Sequence, residues 1–267
     1  MNDSWNHGQP YDQFMGRWSA LVADVFLRWL NAPAAGCWLD AGCGTGGLAR
    51  QIVSSQRPHA VTGIDFAHPF LAYAQIQRTG TAIHYAAADM QALPLPDNSI
   101  DTAVSGISLN FVPRPERALA KMIRVTRPGG HIGIFLWDYA AGMEMLRFFW
   151  DTAVSLDPCA ADRDEGRRFP LCNEQALAAL VQQGGLEQVN TRPIDVPARF
   201  ATFADYWQPF LGQVGPAPDY VASLTPTARA HLRDQLQIVL PAAEDGTIVL
   251  TARAWAVQGT LGDQQWT

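Results

Sequence analysis

The chain has little of the positive charge that binding to nucleic acids requires. Of its 19 basic residues only Lys121 is a lysine, and they form no cluster beyond Arg167-Arg168. The formal net charge is −6. Because proteins bind the phosphate backbone chiefly through clustered lysine and arginine, we expect no nucleic-acid partner.

Long apolar runs are also missing. The segment 132–137 is typical of the longest ones, whereas a transmembrane helix needs about 20 apolar residues. The chain opens without the basic region and apolar stretch of a secretory signal. We therefore expect a cytoplasmic protein with no membrane partner.

Cysteine is scarce, and its spacing does not suit a metal. No two cysteines form a C-x-x-C pair, and no histidine stands at zinc-ligand spacing from them. We predict reduced thiols and no metal site. Hydrophobic residues make up 48% of the 267 residues, which favours a large core in one domain or one and a half. The cysteines are Cys37, Cys43, Cys159 and Cys172.

A glycine-rich stretch, 36–48, organises the rest of the chain. An apolar run ends in Asp40, glycines follow at alternate positions, and a segment of helical composition begins at Leu48. This order predicts a buried strand, a tight turn and the start of a helix. Glycine in such a turn permits positive φ and lets a ligand approach backbone N–H groups.

Two kinds of ligand suit this turn. Gly42, Gly44 and Gly47 fit the dinucleotide fingerprint G-x-G-x-x-G, with Asp65 placed to meet a ribose. The same stretch reads Asp40-x-Gly42-x-Gly44-x-Gly46. A carboxylate at the strand end repels a pyrophosphate and attracts an ammonium or sulfonium group. This favours S-adenosylmethionine, which carries both cations and no phosphate, over a nicotinamide dinucleotide.

The stretch resembles motif I of the class I S-adenosylmethionine-dependent methyltransferases. The segment 91–101 is similar to the "LPF-x-DNSFD" stretch of their UbiE-like, type-11 branch, and 127–130 is similar to the "LKPGG" turn. The resemblance covers 36–138 and fades afterwards. It implies an α/β, Rossmann-like, mostly parallel sheet of seven strands in the order 3-2-1-4-5-7-6. Strand 7 would be antiparallel, with helices on both faces and a helical cap.

Hydrophobic periodicity places the elements of this fold. We predict helices over 17–31 and 173–183, and a helix opening at Pro115. Beyond the glycine-rich stretch, the predicted strands are 60–65, 82–90, 100–105, 131–137, 186–196 and 248–257.

The chain divides into three predicted parts. Residues 1–35 form an N-terminal lid segment and helix, 36–138 form the cofactor-binding core, and 139–267 complete the core with strands six and seven. Two insertions, 139–172 and 199–245, would form the helical cap over the active site. Within the second, four aromatic residues at helical spacing favour core packing over a pocket: Phe203, Tyr206, Trp207 and Phe210.

Three predicted strands each run to an aspartate, namely Asp40, Asp65 and Asp89. Ligands of open parallel sheets lie beyond the carboxyl ends of the strands, so the three carboxylates should share one site. The resemblance implies that Asp65 accepts from two ribose hydroxyls, whereas capping of the helix near His68 is the alternative. It also implies that Asp89 accepts from the adenine amine.

The resemblance further implies that the N-terminal segment folds over the cofactor. Arg17 would then meet the methionine carboxylate and Tyr11 would wall the site, although a surface arginine beside a hydrophobic staple explains Arg17 as well. The full predicted set of cofactor-binding residues is Tyr11, Arg17, Asp40, Gly42, Cys43, Gly44, Gly46, Asp65, Phe66, Asp89, Met90 and Ser105.

Methyl transfer is an SN2 displacement, for which the protein chiefly aligns a nucleophile and excludes water. Where a proton must leave the acceptor, Asp138 and Tyr139 after strand five are weak candidates for the base. Ser105-Gly-Ile-Ser108 stands where amino-methylating DNA enzymes carry [N/D]-P-P-[Y/F]. We therefore expect a small, partly apolar methyl acceptor. Binding of the cofactor without transfer is the alternative from another class.

Overall fold

The computed structural model describes residues 15–33, 35–78, 80–212 and 215–262. Tyr11 lies outside the described residues. Seven strands form one sheet. They are Cys37–Ala41 (β1), Ala60–Asp65 (β2), Ile83–Ala87 (β3), Ile100–Gly106 (β4), Thr126–Trp137 (β5), Glu187–Phe200 (β6) and Ile248–Thr260 (β7).

Helices pack around this sheet. They are Arg17–Leu30 (α1), Gly47–Gln56 (α2), His68–Ile76 (α3), Pro115–Val125 (α4), Glu144–Leu156 (α5), Glu165–Arg168 (α6), Glu174–Gln183 (α7), Phe203–Trp207 (α8), Pro216–Ser223 (α9) and Pro226–Val239 (α10). In the described part of the chain, no helix is both long and apolar enough to cross a membrane.

The strand order is β3-β2-β1-β4-β5-β7-β6, as the resemblance implied. Strands β1 to β5 pair in parallel, and β7 pairs antiparallel with both β5 and β6. The sequence order reverses direction at β1, where the chain next enters β2 on one side and later β4 on the other. In parallel sheets that reversal marks the place for a ligand.

Helix α1 packs against the sheet through a stripe of apolar residues at helical spacing. Trp18, Val22 and Phe26 recur every four residues and are buried. Phe26 packs on Phe135 of β5 with ring centroids 4.9 Å apart. The neighbouring Gly133 leaves the room, because a Cβ there would lie 2.7 Å from the Phe26 ring. The predicted helix is confirmed, ending at Leu30.

Several strand ends differ from the prediction, and β6 and β7 continue to Phe200 and Thr260, beyond the predicted ends at 196 and 257. β3 ends at Ala87, because Asp89 turns the chain by accepting the Gln91 N–H (2.8 Å) and so caps a short 3₁₀ helix. β5 begins at Thr126 and not after a turn over 127–130. Thr126 pairs with Ile100, and the register then shifts before β4 and β5 continue side by side.

The C-terminal segments contain the helices expected there. Thr202 and Thr225 cap α8 and α10, where their hydroxyls accept the N–H groups of Asp205 and Ala228. The predicted core packing of the aromatic residues is also confirmed. Tyr206 is fully buried and its hydroxyl donates to the Met145 carbonyl (2.9 Å), while Phe210 stacks on Phe149. Division of the chain at 35 and 138 remains a prediction.

Candidate active site

Positive φ angles in the loop between β1 and α2 have different causes. Gly42, Gly44 and Gly46 have φ of +76°, +50° and +77°. A Cβ on Gly42 would overlap the Ser108 hydroxyl, and one on Gly46 would overlap the Tyr85 hydroxyl. At Gly44, by contrast, the nearest described atom is a Phe70 ring carbon 4.0 Å away. Of these three glycines, only Gly44 therefore faces open space among the described residues, where a ligand can approach the backbone.

Asp65 fastens this loop to the next one. Its Oδ2 accepts the Gly44 N–H and its Oδ1 accepts the Ala67 N–H, both at 2.8 Å. Helix α3 starts after Ala67 and has no side-chain cap, so the alternative in which Asp65 caps this helix is wrong. Since each carboxylate oxygen has two lone pairs, each can still accept a ribose hydroxyl. Burial raises the Asp65 pKa, and the loop N–H groups oppose that shift.

A cavity of about 1010 Å³ opens at the carboxyl edge of the sheet. It brings together the carboxylates of Asp40, Asp65 and Asp89, although 25 positions separate the first two in the chain and 24 separate the last two. The predicted residues that line it are Asp40, Gly42, Cys43, Gly44, Asp65, Phe66, Asp89 and Met90.

Asp40 is the unusual group in this cavity. It is 1% exposed, and no side chain in the described part of the chain donates a hydrogen bond to either carboxylate oxygen. Burial, and secondarily the charge of Asp65, raises the Asp40 pKa to about 7, while the Ala49 backbone N–H and the charge of Arg50 oppose this shift. A buried carboxylate with so little hydrogen bonding is costly without a ligand. A cation such as an ammonium or sulfonium would supply the missing partner, so the residues present fit S-adenosylmethionine.

Other predicted residues lie away from the cavity wall. The Arg17 guanidinium lies over the rings of Trp18 and Phe200, 4.4 Å and 5.1 Å from their centroids, and 4.0 Å from Asp205. Ser105 is buried and hydrogen-bonded to the Ser108 hydroxyl (2.8 Å). Gly46 does not line the cavity, and its lack of a side chain makes room for the Tyr85 hydroxyl. The roles of Arg17 and Ser105 as cofactor ligands remain predictions without a supporting contact.

Several lining residues were not predicted. Ser108 takes the wall position expected for Ser105, because β4 continues to Gly106 before the chain turns across the cavity. Among the described residues that line the cavity, Arg50 on α2 is the only basic one. Its guanidinium also donates to the Thr45 carbonyl (2.8 Å). The small residues beside the apolar stripe of α1 could have indicated, from the sequence, that a ligand approaches this helix. Those lining the cavity are Gly16, Ser19, Ala20 and Ala23.

The two weak candidates for a base lie elsewhere. Asp138 is buried, accepts the Ala141 N–H (3.1 Å) and donates its own N–H to the Arg253 carbonyl (2.9 Å). It lines neither described cavity, which indicates a turn-forming role. Tyr139 lines a second, narrow recess of about 20 Å³, where its ring packs on Phe169.

That recess contains a titratable group that the sequence patterns did not single out. Glu165, the first residue of α6, is 5% exposed and lines the recess. Burial raises its pKa to about 7. It lies in a segment, 162–168, that is rich in Asp and Arg and contains no local sequence feature that marks Glu165 as buried.

The seven-stranded order with an antiparallel β7, and a carboxylate-lined cavity at the strand ends, define a class I methyltransferase fold. In agreement, residues 39–134 match the family model described as a methyltransferase domain. The chain therefore contains a type-11 methyltransferase domain of the S-adenosylmethionine-dependent class.

Curated relatives are named as methyltransferases, and solved structures share the fold. A malonyl-[acyl-carrier protein] O-methyltransferase of Pseudescherichia vulneris is 38% identical over 110 residues, 41% of this chain and 42% of that one. A demethylmenaquinone methyltransferase of Chlamydia trachomatis is 34% identical over 129 residues, 46% and 55% of the two chains. Phosphoethanolamine N-methyltransferase 2 of Haemonchus contortus, solved with S-adenosyl-L-methionine, superposes with a TM-score of 0.59 at 17% identity, covering 96% of this chain and 56% of that one.

The shared region is limited in extent. The chain spans about two-fifths of the length of the first curated relatives it matches. The likeness therefore identifies the domain and its fold, and the methyl acceptor has to be inferred from the site.

Proposed function

We propose that the protein transfers a methyl group from S-adenosylmethionine to a small, partly apolar acceptor. The observation that carries this proposal is the buried Asp40 carboxylate, which receives no side-chain hydrogen bond among the described residues and lines the same cavity as Asp65 and Asp89. A nicotinamide dinucleotide would bring its pyrophosphate to this acidic strand end, where the charges repel.

The chain's own residues can hold such a cofactor in one orientation. Asp65 accepts from the ribose hydroxyls, while its bonds to the backbone of Gly44 and Ala67 keep it in place. Asp89 and Met90 lie at the adenine end, and Asp40 attracts the cationic end. The bound cofactor supplies an activated methyl group, and the protein aligns an acceptor with it and excludes water.

The dimensions and lining of the cavity indicate the acceptor class. A volume of about 1010 Å³ is at the upper end for small-molecule pockets, so room remains beside a nucleoside-sized cofactor. The wall near the end of β4 is apolar, formed by Phe111, Val112, Pro113 and Phe135. The two curated relatives are named for different acceptors, one an acyl group on a carrier protein and the other demethylmenaquinone, and they therefore do not select the acceptor of this chain.

Calorimetric titration with S-adenosylhomocysteine tests the cofactor part of this proposal. We expect binding in the micromolar range, and no heat from NADH or NADPH under the same conditions. Tight NADH binding together with silence from S-adenosylhomocysteine would contradict the assignment of Asp40 as a cation-binding group, and with it the proposal.

Replacing Asp65 with alanine should weaken S-adenosylhomocysteine binding by about 1.5–3 kcal/mol, the scale of hydrogen bonds to a charged group. Some stability should be lost too, because the Gly44 and Ala67 N–H groups lose their acceptor. Calorimetry measures the affinity and urea unfolding the stability. Asp195→Ala is the matched control, since Asp195 pairs with Arg253 on the surface. Equal affinities of Asp65→Ala and wild type would contradict ribose binding by Asp65.

A further inference from the structure

The recess beside Tyr139 holds a carboxylate that the proposed cofactor contacts do not use. The Glu165 Oε2 accepts a hydrogen bond from the Trp150 indole N–H. Apart from Glu165 and Tyr139, the recess is lined by apolar residues and one glycine in the described part of the chain. A carboxylate in such surroundings is costly to keep charged, which is typical of groups with a functional role.

The position of Glu165 is fixed by its neighbours. Asp164 accepts the Gly166 N–H (2.8 Å) and pairs with both terminal nitrogens of Arg147, which holds the start of α6 on α5. Gly166 lets α6 pack directly on the chain after β5, because a Cβ there would lie 2.9 Å from the Tyr139 carbonyl oxygen. The Glu165 side chain is therefore held at the recess.

The recess adjoins the cofactor cavity. Ile107 and Phe111 line both spaces. Ile107 has φ of +54°, a conformation that costs a β-branched residue on the order of 1–3 kcal/mol and that clusters at active sites. A volume of about 20 Å³ accommodates one water molecule or a group of similar size, such as a hydroxyl.

We propose that Glu165 is a catalytic residue that accepts the proton of a largely apolar, hydroxyl-bearing acceptor, directly or through one water. This rests on the proposed methyltransferase function. The acceptor oxygen forms a bond to the methyl carbon while the bond from that carbon to sulfur breaks, and the electron pair of the broken bond stays on sulfur. The hydroxyl proton passes to the Glu165 carboxylate and afterwards to solvent.

The electrostatics of the recess agree with this role. Burial raises the Glu165 pKa to about 7, opposed by hydrogen bonds from its own backbone and from Trp150. The charged groups that act on Glu165 are Asp164, which raises its pKa, and Arg147, which lowers it. A base with a pKa near the working pH is efficient in proton transfer. The carboxylate must be ionised to act, so the rate should rise as the pH increases through about 7.

The test uses 2-naphthol as the acceptor probe and S-adenosylhomocysteine formation as the measure of turnover. We expect Glu165→Gln to lower the rate by at least about 100-fold. The variant should bind S-adenosylhomocysteine like wild type, which shows that it is folded. Glu174→Gln is the matched control, because Glu174 also opens a helix after a side-chain cap but lines neither cavity. It should keep the wild-type rate.

A second readout does not depend on turnover. In protein labelled with ¹³C at the glutamate carboxyl groups, the resonance that disappears in Glu165→Gln should titrate near pH 7. An acidic midpoint typical of exposed glutamate would overturn the proposal, as would an unchanged rate in Glu165→Gln. So would failure of a wild-type protein that binds S-adenosylhomocysteine to methylate 2-naphthol. Failure of the wild type to bind S-adenosylhomocysteine would instead overturn the proposed function itself.

Discussion

Replacing Gly44 with valine should abolish S-adenosylhomocysteine binding while leaving the protein folded. The valine side chain would project from a backbone with φ of +50° into space where the nearest described atom is 4.0 Å away. That space belongs to the cofactor cavity. Positive φ costs a β-branched residue about 1–3 kcal/mol of stability, which most domains survive. We expect calorimetry to detect no binding where wild type binds at micromolar concentration.

A matched control separates strain from obstruction. Gly246, in the turn before β7, has φ of +83°, and a Cβ there would meet no described atom within 4 Å. Gly246→Val should therefore lose a similar amount of stability in urea unfolding and keep full affinity. If Gly44→Val retained binding, the glycine loop would not contact the cofactor. If Gly246→Val lost binding too, general destabilisation would explain both results.

The glycine loop and its aspartates were predictable because their signals are local. An apolar strand ending in Asp40 or Asp65 is visible within six residues, and parallel strands bring their carboxyl ends to one edge. Gly44 and Gly46 belong to the same glycine motif in the sequence, but the structure requires glycine at the two positions for different reasons. Gly44 faces the cavity, whereas Gly46 makes room for Tyr85, which lies 39 positions further along the chain. Only the folded structure separates the two.

Long-range packing limited the rest of the site prediction. The cofactor role of Arg17 came from the family resemblance and stays a prediction, whereas its contact with Phe200 on β6, far along the sequence, is visible only in the structure. Glu165 was overlooked for the converse reason. Its burial depends on Trp150 and on contacts with the chain after β5, none of which a charged segment reveals. Burial of a polar residue is a property of tertiary structure, and sequence periodicity reports it only for apolar faces.

Replacing Asp40 with asparagine should stabilise the ligand-free protein at alkaline pH. The folded-state pKa of about 7 exceeds the unfolded value of 3.8, so folding takes up a proton between these values. Stability contributed by the protonated form is fully present below 3.8 and is lost as the pH rises through about 7. The loss is at most about 4 kcal/mol. Asparagine carries no charge, so Asp40→Asn should unfold at higher urea concentration than wild type near pH 8, and not near pH 4.

The same substitution should weaken cofactor binding and remove its pH dependence. Only the ionised Asp40 attracts the cationic cofactor, so wild-type affinity for S-adenosylmethionine should rise about tenfold between roughly pH 6 and pH 7.5. Above that range the ligand's own amino group begins to lose its proton. Asp40→Asn should bind on the order of a hundred times more weakly at pH 7.5 and show a flat profile, since hydrogen bonds to charged groups contribute about 1.5–3 kcal/mol.

Calorimetry in buffers of different ionisation enthalpy provides the decisive measurement. Near pH 6, wild-type protein should release close to one proton for each S-adenosylmethionine bound, and Asp40→Asn should release none. Asp195→Asn, with its carboxylate on the surface beside Arg253, is the control and should behave like wild type. A wild-type affinity that is constant over this range would show that Asp40 is already ionised, or stays neutral, in both states. If Asp40→Asn still released a proton on binding, a neighbouring group would be the one that titrates. Asp65, whose pKa is also raised by burial, is the first candidate.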